Sequence, residues 1–157
     1  MLCLCMLSFT ASCAKKNNTA EELLGGIMND IGDLPNGKVY LTSAEEGEGG
    51  YLSPELADSL YGEGAQNKLA LVKDYAIYIS SFAAPCEIAV FICYSSSDAI
   101  KIEQMCRQRA DVLLVALRET DLCDLNLRPT VVRKGRTVAF AMTDNAPRTE
   151  RIIKKFI

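Results

Sequence analysis

The sequence predicts an α+β domain: an antiparallel or mixed sheet of about five strands with helices packed on it, in the order α-β-α-β-β-α-β-β-α. Three observations carry this. Two strand-forming runs, residues 70–81 and 87–94, are joined by a short link and therefore pair as a hairpin. A long amphipathic stretch, residues 99–117, follows them. A second hairpin and a last helix then end the chain.

Each element has a local reason. Thr19 caps the helix AEELLGGIMNDI, and Glu22 completes a capping box. Leu23, Leu24, Ile27 and Ile31 share one face of it. Gly25 and Gly26 either weaken this helix or admit a close neighbour. Leu34-Pro35-Asn36-Gly37 is a turn, and residues 38–42 read as a short strand. AEEGEGG, residues 44–50, is an acidic, glycine-rich loop. Ser53-Pro54-Glu55 opens a second helix, with a capping serine and then proline at the first helical position; it stops at Gly62. Gly62-Glu63-Gly64 is a further loop. EIAVFICY is apolar almost throughout, which places it centrally with both faces covered. Ser95, Ser96, Ser97 and Asp98 offer N-caps for the long helix. In it Ile102, Met105, Cys106, Leu113 and Leu117 form a stripe, while Lys101, Gln104, Arg107, Gln108 and Asp111 face water. Residues 119–129 read as an irregular connection. Val131-Val132 and residues 137–142 form the second hairpin around Lys134-Gly135, and residues 146–156 the last helix.

The start of the chain, MLCLCMLSFTASCAKKNN, has the pattern of a bacterial lipoprotein export signal. Residues 1–9 are apolar and uncharged, and too short to span a bilayer, which needs about 20 apolar residues. Thr10, Ala11 and Ser12 are small enough for a peptidase to reach the backbone before Cys13. The basic residues that usually precede such a run are missing, and a start site placed too far downstream explains that. The expected organisation is a signal segment over residues 1–13, a polar tether over 14–19 and one α+β domain over 20–157. Acylated Cys13 then anchors the mature protein to the cell membrane, facing away from the cytoplasm.

Composition excludes several chemistries. The 157 residues suffice for one domain with one sizeable core. A net charge of −3 with scattered Lys and Arg argues against a nucleic-acid partner. No histidine is present, which removes Ser-His-Asp and Cys-His nucleophile arrangements and every His-ligated metal site. Cys3 and Cys5 fall in the signal, and Cys13 carries lipid. Cys86, Cys93, Cys106 and Cys123 remain, none in a Cys-x-x-Cys pair. Cys93 and Cys106 lie in apolar contexts that suit buried free thiols; one or two disulfides are the other reading. No cofactor, metal or catalytic residue is expected.

YAIYIS, CEIAVF, CRQRADVL, VVRKGRTVAFAMTDNA and RIIKKF occur in that order. In this the chain resembles the bacterial lipoprotein family known as domain of unknown function 4358, over about residues 20–157. In that family an acidic residue precedes the IAVF-like strand and an arginine lies on the long helix, which match Glu87 and Arg109 here. The resemblance implies a membrane-anchored extracytoplasmic domain and no reaction type.

Glu87 opens an apolar strand and Arg109 lies near a buried helical stripe, so the two meet if the helix packs over the hairpin. Three roles stay open: a structural ion pair, a solvated strand end, or a carboxylate-binding arginine held by Glu87. The expected function is a non-catalytic envelope domain that binds a protein, peptide or wall fragment. A solute-binding or sensory lipoprotein acting with a transporter or kinase is the alternative. An envelope enzyme using carboxylates alone, with Glu87 as one of them, comes third.

Overall fold

The almost continuously apolar segment EIAVFIC becomes the middle strand of the sheet. The computed structural model describes residues 18–81, 86–119 and 127–157. Five strands, β1 (Gly37–Leu41), β2 (Val72–Ser80), β3 (Glu87–Cys93), β4 (Arg128–Lys134) and β5 (Thr137–Thr143), lie in the order β1-β2-β3-β5-β4. Every neighbouring pair is antiparallel, so of the two expected sheet types the antiparallel one is realised. Apart from Ile92, every residue of β3 is buried, as a strand covered on both faces requires.

Helices cover both faces. α1 (Ala20–Ile31) and α5 (Ala146–Phe156) lie on one, and α2 (Pro54–Tyr61), α3 (Ala65–Leu69) and α4 (Ser96–Arg118) on the other. Strand alternation supplies a separate core to each face. Ala89, Phe91, Val138 and Phe140 meet Ile102, Met105 and Cys106 of α4, with Ala57 and Tyr61 of α2 in the same cluster. On the opposite face Ile88, Val90, Ala139 and Ala141 meet Leu23, Leu24 and Ile27 of α1 and Ile153 of α5. No helix among the described residues is long and apolar enough to cross a membrane.

The caps form as their residue types dictate. Thr19 and Glu22 make the reciprocal capping box of α1. Ser53 caps α2, and Ser95 caps α4 by accepting from the Asp98 N–H. Gly135, at φ 59°, turns the chain between β4 and β5, a conformation that costs other residues a Cβ clash.

Three differences from the sequence reading have local causes. α3 was not foreseen, because a five-residue helix shows no period. It follows Gly64 directly, and its first N–H, on Ala65, donates to the Asp58 carboxylate at 2.9 Å. β2 therefore starts at Val72 rather than at residue 70. β4 starts at Arg128 and includes Pro129, which the sequence reading gave to the connection. β4 is an edge strand, where a residue without an N–H is tolerated. Cys13, Cys123, most of the tether and the link between β2 and β3 lie outside the described residues.

The glycine pair in α1 divides into two roles. A Cβ on Gly26 would clash with the Phe156 ring of α5, whereas a Cβ on Gly25 meets nothing within 4 Å. Gly25→Ala is therefore expected to raise stability by about 0.5–1 kcal/mol through helix propensity. Gly26→Ala is expected to lose that gain and destabilise, and Phe156→Ala in the same chain to relieve the clash. Urea denaturation midpoints of the three variants check this.

Candidate functional site

Glu87 is the first residue of β3, and its side chain lies on the α4 face with Ala89, Phe91 and Cys93. Its cross-strand neighbours are Ile79 of β2 and Met142 of β5. Neither offers a polar group, so partners for the carboxylate must come from the helices. Arg109 follows Ile102 by seven residues and precedes Leu113 by four. It therefore occupies a place on the stripe of α4 that its other members fill with apolar groups. Tyr61 ends α2, and its ring meets Phe91 of β3 edge to face, centroids 6.0 Å apart.

The three side chains close on one carboxylate. Arg109 donates from Nε at 2.9 Å and from Nη2 at 2.8 Å to Glu87 Oε2. The Tyr61 hydroxyl donates to Glu87 Oε1 at 3.2 Å. The Glu87 side chain is 4% exposed and the Arg109 side chain 11%. Burial pushes the Glu87 carboxyl above its ordinary range, and the Arg109 charge and the hydrogen bonds from Arg109 and Tyr61 pull it back. Burial, then the charge of Glu87, raises the Tyr61 hydroxyl well above its usual value, so it stays a donor.

Beside this cluster lies a cavity of about 140 Å³, bounded by Glu87, Arg109, Ile79, Leu113, Leu117 and Met142 among others. Its lining is mainly apolar, with Arg109 as the cation. A second cavity, of about 380 Å³, lies at the same end of the sheet. Its lining includes Asp33, Asp144, Arg148 and Thr143, and Cys86 borders both cavities.

Cys86, Cys93 and Cys106 are buried free thiols in the structure. Burial pushes the thiols of Cys86 and Cys93 up to about 11 and that of Cys106 well above its usual value. All three stay protonated at neutral pH, in a form that neither attacks nor ligates. Among the described residues no group of three or more Cys, Asp or Glu is placed to hold a metal ion.

The structure thus brings Glu87 and Arg109 together, as the sequence reading anticipated. It adds Tyr61, which that reading missed. As the last residue of a short amphipathic helix, Tyr61 reads as ordinary core, and only the seating of α2 gives its hydroxyl a partner. With both oxygens on fixed donors, Glu87 is poorly placed to exchange protons with a substrate. The arrangement holds α2 and α4 over the end of β3 and presents Arg109 to the smaller cavity. No family model, curated protein or solved structure matches this chain.

Arg109→Ala leaves the Glu87 charge buried without its cation and is expected to cost about 3–5 kcal/mol. Arg109→Lys keeps the charge but not the planar fork and is expected to recover part of that loss. Denaturant titrations with circular dichroism measure both.

The raised carboxyl of Glu87 has a defined pH signature. The folded state keeps a proton that the unfolded state releases, so stability from this group is full below its ordinary value near 4.5. It declines as pH rises through the higher folded value. Glu87→Gln is expected to remove this decline, read as the difference between wild-type and variant stability across mildly acidic pH.

Proposed function

We propose that this chain is a lipid-anchored domain of the bacterial cell envelope, of the kind its sequence phrases resemble. In this reading acylated Cys13 holds it to the cell membrane, outside the cytoplasm, and the domain binds a protein, peptide or wall fragment without catalysing a reaction. The observation that carries the binding part is the apolar cavity beside the Tyr61–Glu87–Arg109 cluster. Its lining suits an apolar peptide side chain better than a sugar ring, and Arg109 supplies a donor at its edge. The engagement of both Glu87 oxygens favours binding over general acid–base work. An envelope enzyme that relies on carboxylates needs Glu87 free and a second carboxylate beside it.

A second reading, a solute-binding or sensory lipoprotein working with a transporter or kinase, draws on the larger cavity. Asp33, Asp144 and Arg148 give that cavity both signs of charge, as a small polar solute requires.

Three measurements test these readings. Palmitate labelling is expected in the wild type and absent in Cys13→Ser; no label in the wild type contradicts the anchor. A photo-crosslinking residue at position 113 is expected to capture one envelope partner from native membranes. Leu117→Phe, which narrows the apolar cavity without burying a charge, is expected to weaken that capture with the fold retained by circular dichroism. Capture unchanged in Leu117→Phe contradicts this site. A thermal shift with a polar metabolite, lost in Arg148→Ala, supports the second reading instead.

A further inference from the structure

We infer that the end of the sheet from which the tether leaves is a lipid-contacting surface, seated on anionic headgroups through Tyr94 and the cations beside it. This rests on the anchoring reading and adds an orientation to it.

The tether fixes which end is near the bilayer. The Ala20 N–H donates to Asp74 Oδ2 at 2.7 Å, which ties the start of α1 to the start of β2. Asp74 pairs with Ile92, close to the last residue of β3. Thr19 is six residues from Cys13, so an extended tether spans at most roughly 20 Å. An acylated Cys13 therefore keeps this end of the sheet close to the headgroups.

That end carries what a headgroup layer takes up. Tyr94 is 60% exposed, the most exposed large hydrophobic side chain among the described residues. Its N–H donates to Leu71 O at 3.1 Å, and the Cys93 N–H donates to Arg136 O at 2.8 Å. Tyr94 thus follows directly on a residue bonded to Arg136. Lys73, exposed, lies at the irregularity of β2 beside it. Ile100, 46% exposed, and Lys101 lie on the opening turns of α4 at the same end. Tyrosine with its ring at headgroup depth, flanked by Lys and Arg, is the side-chain pairing that the interface of an anionic bilayer favours.

The acidic groups set the tilt. Glu45, Glu46 and Glu48 lie in the loop after β1, where the Leu41 N–H bonds Gly50 O at the opposite edge of the sheet. Glu21 and Glu22 lie on the first turn of α1, and Asp98 stands 3.8 Å from Lys101. Anionic lipid repels the loop that carries Glu45, Glu46 and Glu48 and attracts Arg136 and Lys73; Lys134 already donates to Ile157 O at 2.6 Å, and Glu21 and Glu22 stay beside the tether. The corner where β3 meets β5 therefore turns toward the bilayer, and the β1 edge lifts away. Glu87 and both cavities lie at the other end of β3, about 20 Å along the strand. This orientation points them away from the membrane.

The chain has no tryptophan, so Tyr94→Trp places a single fluorophore on the contact. Val115→Trp places one on another exposed position, about 28 Å along α4 from its start. Each acylated full-length protein, its lipid verified by mass, is reconstituted into phosphatidylcholine vesicles with brominated chains, with and without phosphatidylglycerol. The Tyr94→Trp fluorophore is expected to lose about half its emission when phosphatidylglycerol is present, and the Val115→Trp fluorophore little. Arg136→Glu with Lys73→Glu is expected to remove most of the quenching. Equal quenching at the two positions, or quenching indifferent to phosphatidylglycerol and to charge reversal, overturns the surface. A purified protein whose mass shows no acyl group overturns the anchor and this orientation with it.

Discussion

A carboxylate at the head of the central strand, with Ile79 on one side and Met142 on the other, sets the terms for this half of the fold. Removing Glu87 from water is unfavourable unless its oxygens are met by donors. The sheet offers none, so α4 must bring a guanidinium and α2 a hydroxyl to the same few ångströms. Both helices are thereby set in register against β3 at one end. Apolar packing alone holds a helix to a sheet but tolerates small slides. A planar fork on a carboxylate does not. The pair contributes position more than stability, because desolvation raises the Glu87 carboxyl despite its cation.

The surface ion pairs differ in kind. Glu103 accepts from Arg107 on its own helix and from Arg133 of β4, each at 2.7 Å, and these donors hold its carboxyl below the ordinary range. That cluster tacks the middle of α4 to the β4 edge, but its arginines are well exposed and salt screens it. On the other face the fit of α1 to α5 depends on an absence, the missing Cβ of Gly26, which lets the Phe156 ring approach the helix backbone. The two layers are thus held by different means: a polar clamp under α4, and close apolar contact between α1 and α5.

The sequence carried most of the architecture wherever the signal was local. Both hairpins, the Ser95 and Thr19 caps and the central place of EIAVFICY follow from propensity and period. The meeting of Glu87 and Arg109 was legible because Glu87 opens an apolar strand and Arg109 lies near an apolar stripe, so that the two meet once the helix packs over the hairpin. Tyr61 was not legible, since nothing in PELADSLY separates a tyrosine that fills core from one that donates to a carboxylate. α3 was too short to show a period, and Pro129 concealed the first residues of β4. The larger cavity is assembled from the turn after α1, Cys86, Leu127 just before β4 and the β5–α5 junction, and no single segment announces it. Cys13, the strongest signal in the sequence, lies outside the described residues and keeps its weight from sequence alone.

The most direct test of the clamp removes all of it at once. Tyr61→Phe, Glu87→Leu and Arg109→Met combined replace three mutually satisfied polar groups with apolar ones of similar size. If the cluster exists to satisfy a buried charge, the triple variant should unfold at nearly the wild-type urea concentration, or later, although Arg109→Met alone unfolds much earlier. A triple variant that loses as much as the sum of its three single variants would contradict the account, since the three groups would then stabilise the fold independently.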